Sequence, residues 1–253
     1  MVLIFLALSV PGGFFLLKCP PLWRDYDGLI QISNRPNDMT LLQYPPAYPA
    51  FSRLHVYAAQ MLGFGRAGKK QAINLQKSVE LNDAGIRALL VSQQLALALA
   101  CTCFVRVGAR GWKASLMVGA ILLSNATIFL AAQLISTEAL SQSLLVLFIA
   151  LGLRLFLSAK IRPAQYISYG LVLFLLVLTR HANAVFAGIT PLAFLASGLL
   201  GRITSGTWLA APWRRAALLT GVGILAIRGA AHAGFPILDG KNLAEQTCRP
   251  IRT

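Results

Sequence analysis

Negative charge is what this chain has least of. Eight aspartates and glutamates stand against 23 lysines and arginines, and charged residues of both signs make up only 12% of 253 residues. A soluble domain carries about a quarter, so a water-facing globular surface is excluded by shortage of charge alone. Cysteine and histidine are also sparse, at four and three. Cys101 and Cys103 lie two apart on one apolar segment and point about 200° apart on a helix, which rules out a zinc pair. Cys19 and Cys248 pair only if both face an oxidising side. His55, His181 and His232 show no ligand spacing. No Lys/Arg-rich run is interleaved with aromatics, so the net charge of +15 is not a nucleic-acid footprint and no nucleic-acid partner is expected. Alternation with period two is missing as well, which excludes a membrane β-barrel.

What remains is hydrophobic, at 57% of residues. Six nearly uncharged runs, at about 86–105, 113–132, 138–157, 164–179, 184–200 and 215–231, have the length of membrane helices. Residues 1–17 form a seventh, with Pro11-Gly12-Gly13 in its middle and neither the basic start nor the small-residue cleavage site of a signal peptide. The expected fold is therefore all-α: a polytopic membrane protein of about seven transmembrane helices. Residues 1–232 form the membrane module, with a first extracytoplasmic loop at 18–85, and residues 233–253 form an extracytoplasmic tail.

The segment 46–63 decides the orientation. If it does not cross, Arg106, Arg110, Lys113, Arg154, Lys160, Arg162, Arg202, Arg214 and Arg215 share one side on three short connections. That is what the positive-inside rule expects of the cytoplasm. If it crosses, these nine face outward and the inner side keeps chiefly Arg66, Lys69, Lys70, Lys77 and Arg180. Nine against five favours an interfacial helix, with Tyr44, Tyr48 and Tyr57 at the interface and Arg53 and His55 kept from mid-bilayer. Integral membrane localisation follows, with the acidic residues facing outward.

Those acids fall into two kinds. Depletion from inner loops accounts equally well for Glu80, Asp83, Asp239 and Glu245. Asp25 and Asp27, in "WRDYDG", stand two apart after a span and face the same way in an extended loop. Such a pair suits a general base with a tuning neighbour, or a divalent-metal ligand set, although a solvated loop carries the same pattern. Glu138 opens a span, where an ionisable group is either a helix-dipole partner capped by Ser136 or Thr137, or part of a site. Arg180 ends a span on the same side, placed either to snorkel or to hold a phosphate.

"YPPAYPAFSRLHVYAAQMLG" (44–63) resembles the YPPLYP-type segment of the GT-C superfamily, polytopic glycosyltransferases that use polyprenyl-phosphate sugar donors. "DYDG" at 25–28, "STEAL" at 136–140 and "LTRHANAV" at 178–185 follow in that superfamily's order, over about residues 20–200. The nearest branch is that of protein mannosyltransferases and lipid A aminoarabinose transferases (glycosyltransferase family 39-like). Tyr44 replaces the lysine that the aminoarabinose branch has before its Pro-Pro.

The resemblance implies Asp25 or Asp27 as catalytic base, with Asp25 preferred. It implies Glu138, Arg180, His181 and Tyr44 as substrate-binding residues around one outer cavity. The implied chemistry is inverting transfer of a sugar to a lipid, glycan or protein acceptor, with membrane lipids as further partners and no metal site assigned. A divalent metal is compatible with the residues but not required by them. The implied location is a bacterial inner membrane, with the site facing the periplasm or cell exterior. Members of the superfamily are longer, so a truncated chain is expected, and with it an activity that the missing part can abolish. The rival readings are a multi-pass transporter or flippase-like protein and a non-catalytic truncated relative.

Overall fold

The computed structural model describes residues 1–19, 22–23, 47–62, 70–74, 77–80, 83–109, 111–158, 161–205 and 210–232. Nine α-helices carry the described chain. They are α1 (Val2–Lys18), α2 (Ala47–Met61), α3 (Asp83–Gly108), α4 (Trp112–Ser124), α5 (Ala126–Ala131), α6 (Thr137–Leu157), α7 (Pro163–Thr179), α8 (Ile189–Ser205) and α9 (Ala210–His232). A 3₁₀ segment, His181–Gly188, joins α7 to α8. Two short ladders complete the fold. β1 (Leu22–Trp23) pairs in parallel with β4 (Leu134–Ile135), and β2 (Lys70–Asn74) pairs antiparallel with β3 (Lys77–Glu80).

Three stretches, Ala84–Gly108, Thr137–Leu157 and Ala182–Leu200, are long and apolar enough to cross a membrane. Val2–Lys18, Trp112–Ser124 and Pro163–Thr179 are apolar but shorter. The helix α1 runs unbroken through Pro11. Its outer face shows Leu3, Leu6, Val10, Phe14 and Leu17, each more than half exposed, a spacing of three to four residues that draws one continuous apolar stripe.

The segment 113–132 corrects the sequence expectation. It is not one helix: α4 stops at Ser124, and Asn125 (φ −95°, ψ 78°) turns the chain into the six-residue α5, followed by β4. Backbone groups released by such a break need partners, and two glutamines of α3 supply them. Gln94 Nε2 donates to the Phe129 carbonyl at 2.9 Å, and Gln93 Nε2 donates to the Leu134 and Ala132 carbonyls at 2.9 and 3.3 Å.

The helices pack in a chain of neighbours: α1 on α3, α3 on α6, α6 on α7, α7 on α9 and α9 on α8. One core joins α1, α3 and α5 through Leu8, Leu97, Cys101 and Phe129; a larger one joins α6 to α9 through Phe148, Leu155, Tyr169, Leu173, Phe194 and Leu219. Glycine sets the closest approach. A Cβ on Gly12 would come within 2.6 Å of Gln94 Oε1, and one on Gly170 within 2.7 Å of Val222 Cγ1. Small residues at such contacts let the helix backbones meet.

The helix α2 forms where the Tyr-Pro-rich segment had been read as interfacial, and it packs on α3 and α7. His55 ties it down. Its Nδ1 lies 2.8 Å from the Phe51 carbonyl, and its Nε2 lies 2.7 Å from Ser92 Oγ. A carbonyl only accepts, so Nδ1 carries a proton directed at the Phe51 carbonyl.

Candidate functional site

The site is assembled where the N-terminus of α6 meets the C-terminus of α7. Ser136 occupies the N-cap position of α6 in extended conformation, yet its hydroxyl makes no capping bond. Glu138 follows in the first helical turn, where the amide ends of the helix favour a carboxylate. Arg180 takes the C-cap position of α7, with extended φ and ψ of −152° and 130°. The two side chains meet: Arg180 Nη1 lies 3.3 Å from Glu138 Oε1. Arginine has five donors in a fixed fork, so the contact through Nη1 leaves other N–H groups of the half-exposed guanidinium available.

Asn183 fixes this turn. The Arg180 carbonyl accepts from its backbone N–H at 3.0 Å. Its buried side chain donates through Nδ2 to Ser141 Oγ on α6 at 2.8 Å and to the Leu176 carbonyl on α7 at 2.9 Å. The same residue thus closes the turn and staples it to the helix that carries Glu138.

Beneath the ion pair lies Tyr48, fully buried on α2. Burial pushes its phenol well above the ordinary tyrosine range, and the neighbouring Glu138 charge pushes it further; the Ser136 backbone offsets part of this. Tyr48 Oη makes no hydrogen bond of ordinary geometry. Nor is it alone: Gln93 Oε1, both amide atoms of Gln133 and Ser136 Oγ are also buried without a hydrogen-bond partner. All belong to the segment 133–138 or to residues touching it. Buried polar groups are nearly always paired, so these atoms set the segment 133–138 apart from an ordinary packed core, although such atoms are also found elsewhere in the fold.

The first loop enters at the same place. The ladder register sets Leu22 opposite Leu134 and Trp23 opposite Ile135. The chain that leads to Asp25 is therefore hydrogen-bonded to the chain that leads to Glu138.

Of the residues singled out by sequence, Glu138 and Arg180 are brought together. Asp25, Asp27 and Tyr44 lie outside the described residues, as does the side chain of His181, whose backbone opens the 3₁₀ segment. Tyr48 corrects an expectation. It was assigned to the membrane interface with Tyr44 and Tyr57, but it is 0% exposed and faces α6. Gln93, Gln133 and Asn183 were missed. The signal was present in the first case: two adjacent glutamines inside an apolar helix need a structural or functional reason. Among the described residues no cluster of three His, Cys, Asp or Glu side chains could hold a metal ion. The described thiols, Cys19, Cys101 and Cys103, are free.

Compared with known proteins, the chain matches no protein-family model and no curated protein.

Proposed function

We propose that this protein is a multi-pass membrane glycosyltransferase of the GT-C type, moving a sugar from a polyprenyl-phosphate donor to an acceptor outside the cytoplasm. The observation that carries the reading is the Glu138–Arg180 pair at 3.3 Å, standing over a buried set of unpartnered polar groups. The pair comes from the two motifs, "STEAL" and "LTRHANAV", that the resemblance had already singled out. A guanidinium with spare donors suits a phosphate. Unpartnered amide and hydroxyl groups suit the hydroxyls of a sugar.

Three further observations support the reading. The exposed apolar stripe of α1 is at home in lipid. The three long apolar stretches and the three shorter apolar helices, α1 among them, make six candidate spans; the proposed seven-span topology adds α9, with α2 lying along the outer surface. The β1–β4 ladder pairs Leu22 and Trp23 with a strand that ends three residues before Glu138, and two residues of chain reach at most about 7 Å beyond Trp23.

In the proposed reaction the acceptor hydroxyl gives its proton to a carboxylate of the first loop, Asp25 or Asp27. The acceptor oxygen then bonds to the anomeric carbon. The bond from that carbon to the phosphate oxygen breaks, its electron pair staying on the phosphate. Arg180 steadies the growing phosphate charge, and Glu138 holds the guanidinium in place. His181 and Tyr44 complete the proposed substrate contacts. The site faces the periplasm or cell exterior of a bacterial inner membrane, the side opposite the nine inner-loop cations.

The test is sugar transfer from a polyprenyl-phosphate donor by the purified chain and by Asp25→Ala, Asp27→Ala and Arg180→Ala. Loss of transfer is expected for Arg180→Ala and for whichever aspartate is the base. Transfer unchanged in all three variants overturns the enzyme reading. Solute flux without sugar transfer would instead establish a transporter.

A further inference from the structure

About 24 Å along α6 from Glu138, at 1.5 Å per residue, its other end opens into a second and very different recess. This cavity, of about 470 Å³, is lined by Leu151, Arg154 and Ser158 of α6 and its end, and by Arg162, Gln165 and Ser168 at the start of α7, with Ala164 completing the wall. Among the described residues no carboxylate lines it. Its volume lies within the usual range for ligand sites, about 300–1,000 Å³.

The polar groups at this end are held in place by local bonds. Gln165 Oε1 accepts from the Arg162 backbone N–H at 2.7 Å, which leaves the amide Nε2 as the donor Gln165 still has to offer. Ser158 and Ser168 hydroxyls donate to the carbonyls of Arg154 and Ala164 at 2.6 and 2.8 Å, so their oxygens keep acceptor capacity only. Arg215 of α9 reaches across, donating from Nη1 to the Ser158 carbonyl at 3.0 Å with its guanidinium over the Phe194 ring at 5.9 Å. A third cation is thereby anchored beside the cavity wall. The positive end of the 17-residue α7 points to the same place.

We propose that this cavity binds a phosphate-bearing anion through Arg154 and Arg162. The phosphate belongs either to the headgroup of an acidic phospholipid or to a free phosphate compound. Two exposed guanidinium groups, with no carboxylate to neutralise them in the lining, match a phosphate better than any neutral ligand. On the topology proposed above, the recess lies on the cytoplasmic side, where basic pockets between helices meet anionic headgroups. The proposal rests on the helix ends and not on sugar transfer, so the two readings stand or fall separately.

The test uses the full chain in detergent and native mass spectrometry, with phosphatidylglycerol and phosphatidylcholine at equal concentration. Wild type is expected to retain phosphatidylglycerol preferentially. Each of R154Q and R162Q should weaken that retention about fivefold and the double variant roughly 25-fold, on the scale of one headgroup–cation interaction per arginine. Lys113→Gln, which removes a cation outside the cavity, should leave retention unchanged. Equal retention of the two lipids by a wild type that also binds no inorganic phosphate overturns the proposal; so does wild-type retention by the double variant, or an equal loss in Lys113→Gln. Should the double variant not fold, R162Q alone decides, because Arg162 is exposed. Inorganic phosphate added in excess separates the two sources: displacement of the lipid supports a free phosphate ligand, and persistence of the lipid supports the headgroup.

Discussion

Replacing Glu138 by glutamine and Asn183 by alanine should damage this protein in opposite ways. The ion pair is long at 3.3 Å, with Arg180 47% exposed and Glu138 26% exposed. Exposed pairs of that kind contribute at most about 1 kcal/mol, because water screens them and two flexible side chains must be held. Asn183 is buried, at 7% exposure, and its amide donates at 2.8 and 2.9 Å to groups on two different helices. Each such bond contributes a net ~0.5–1.5 kcal/mol, so losing both costs about 2 kcal/mol. The cost stays near that figure because the Leu176 carbonyl keeps the Thr179 hydroxyl at 2.7 Å and the Arg180 N–H at 3.3 Å. It is not orphaned. For a chain of this length the Tm should fall by roughly 4–8 °C in N183A and by no more than about 4 °C in E138Q.

Activity should rank the other way. Alanine at 183 keeps the backbone N–H that bonds the Arg180 carbonyl, so the charged pair survives. On the proposed sugar-transfer reading, E138Q removes the group that aims the guanidinium, and misplacement of a catalytic contact by about 1 Å costs on the order of 10²-fold. Thermal unfolding in detergent, paired with the transfer assay on the same preparations, reads both quantities. If E138Q lowers Tm as far as N183A does, or transfers sugar at the wild-type rate, the division of labour argued here is wrong.

Tyr48 gives a pH prediction. Its folded-state pKa is raised, first by burial and then by Glu138, from an ordinary value of 10.0. The stability held by the neutral phenol is complete below pH 10 and is lost above it, because the unfolded chain ionises first; the slope for one such group is about 1.4 kcal/mol per pH unit. Thermal unfolding across pH 8–11 should show wild type and Y48F running parallel below pH 10, with wild type falling faster above it. Parallel curves throughout would place the phenol in water. At the α7–α9 contact, Gly170→Ala puts a methyl 2.7 Å from Val222 Cγ1, a branched side chain with little room to turn. Overpacking of that order costs about 1–3 kcal/mol. Val222→Ala in the same chain should recover most of it, a coupling read by a double-mutant cycle; additive losses would mean that the two helices are not in contact there.

Helix positions were legible because each depends on a local quantity, the length of an uncharged run. Residues 138–157 and 164–179 reappear as α6 and α7 almost to the residue. What escaped was what depends on partners distant in sequence. The run 113–132 has no proline or charge beyond Lys113, and nothing local says that it breaks at Asn125. The break is stabilised from outside, by Gln93 and Gln94 some 35 to 41 residues earlier, which receive the carbonyls it exposes. Asn183 escaped for the same reason, since its partner Ser141 is 42 residues away.

The misreading of Tyr48 is the instructive case. A tyrosine flanked by prolines beside a membrane run was assigned by composition to the interface, where phenols are common. The fold instead turns it inward against α6, beneath Glu138. Burying a phenol next to a carboxylate costs stability, which the Ser136 backbone offsets only in part. Tyr48, Gln93, Gln133 and Ser136 are among the described residues with a buried polar atom that makes no hydrogen bond, and other such atoms lie elsewhere in the fold. Departures from local rules are expected where a protein meets its ligand, and several of them lie around the Glu138–Arg180 pair, which two separate motifs had marked.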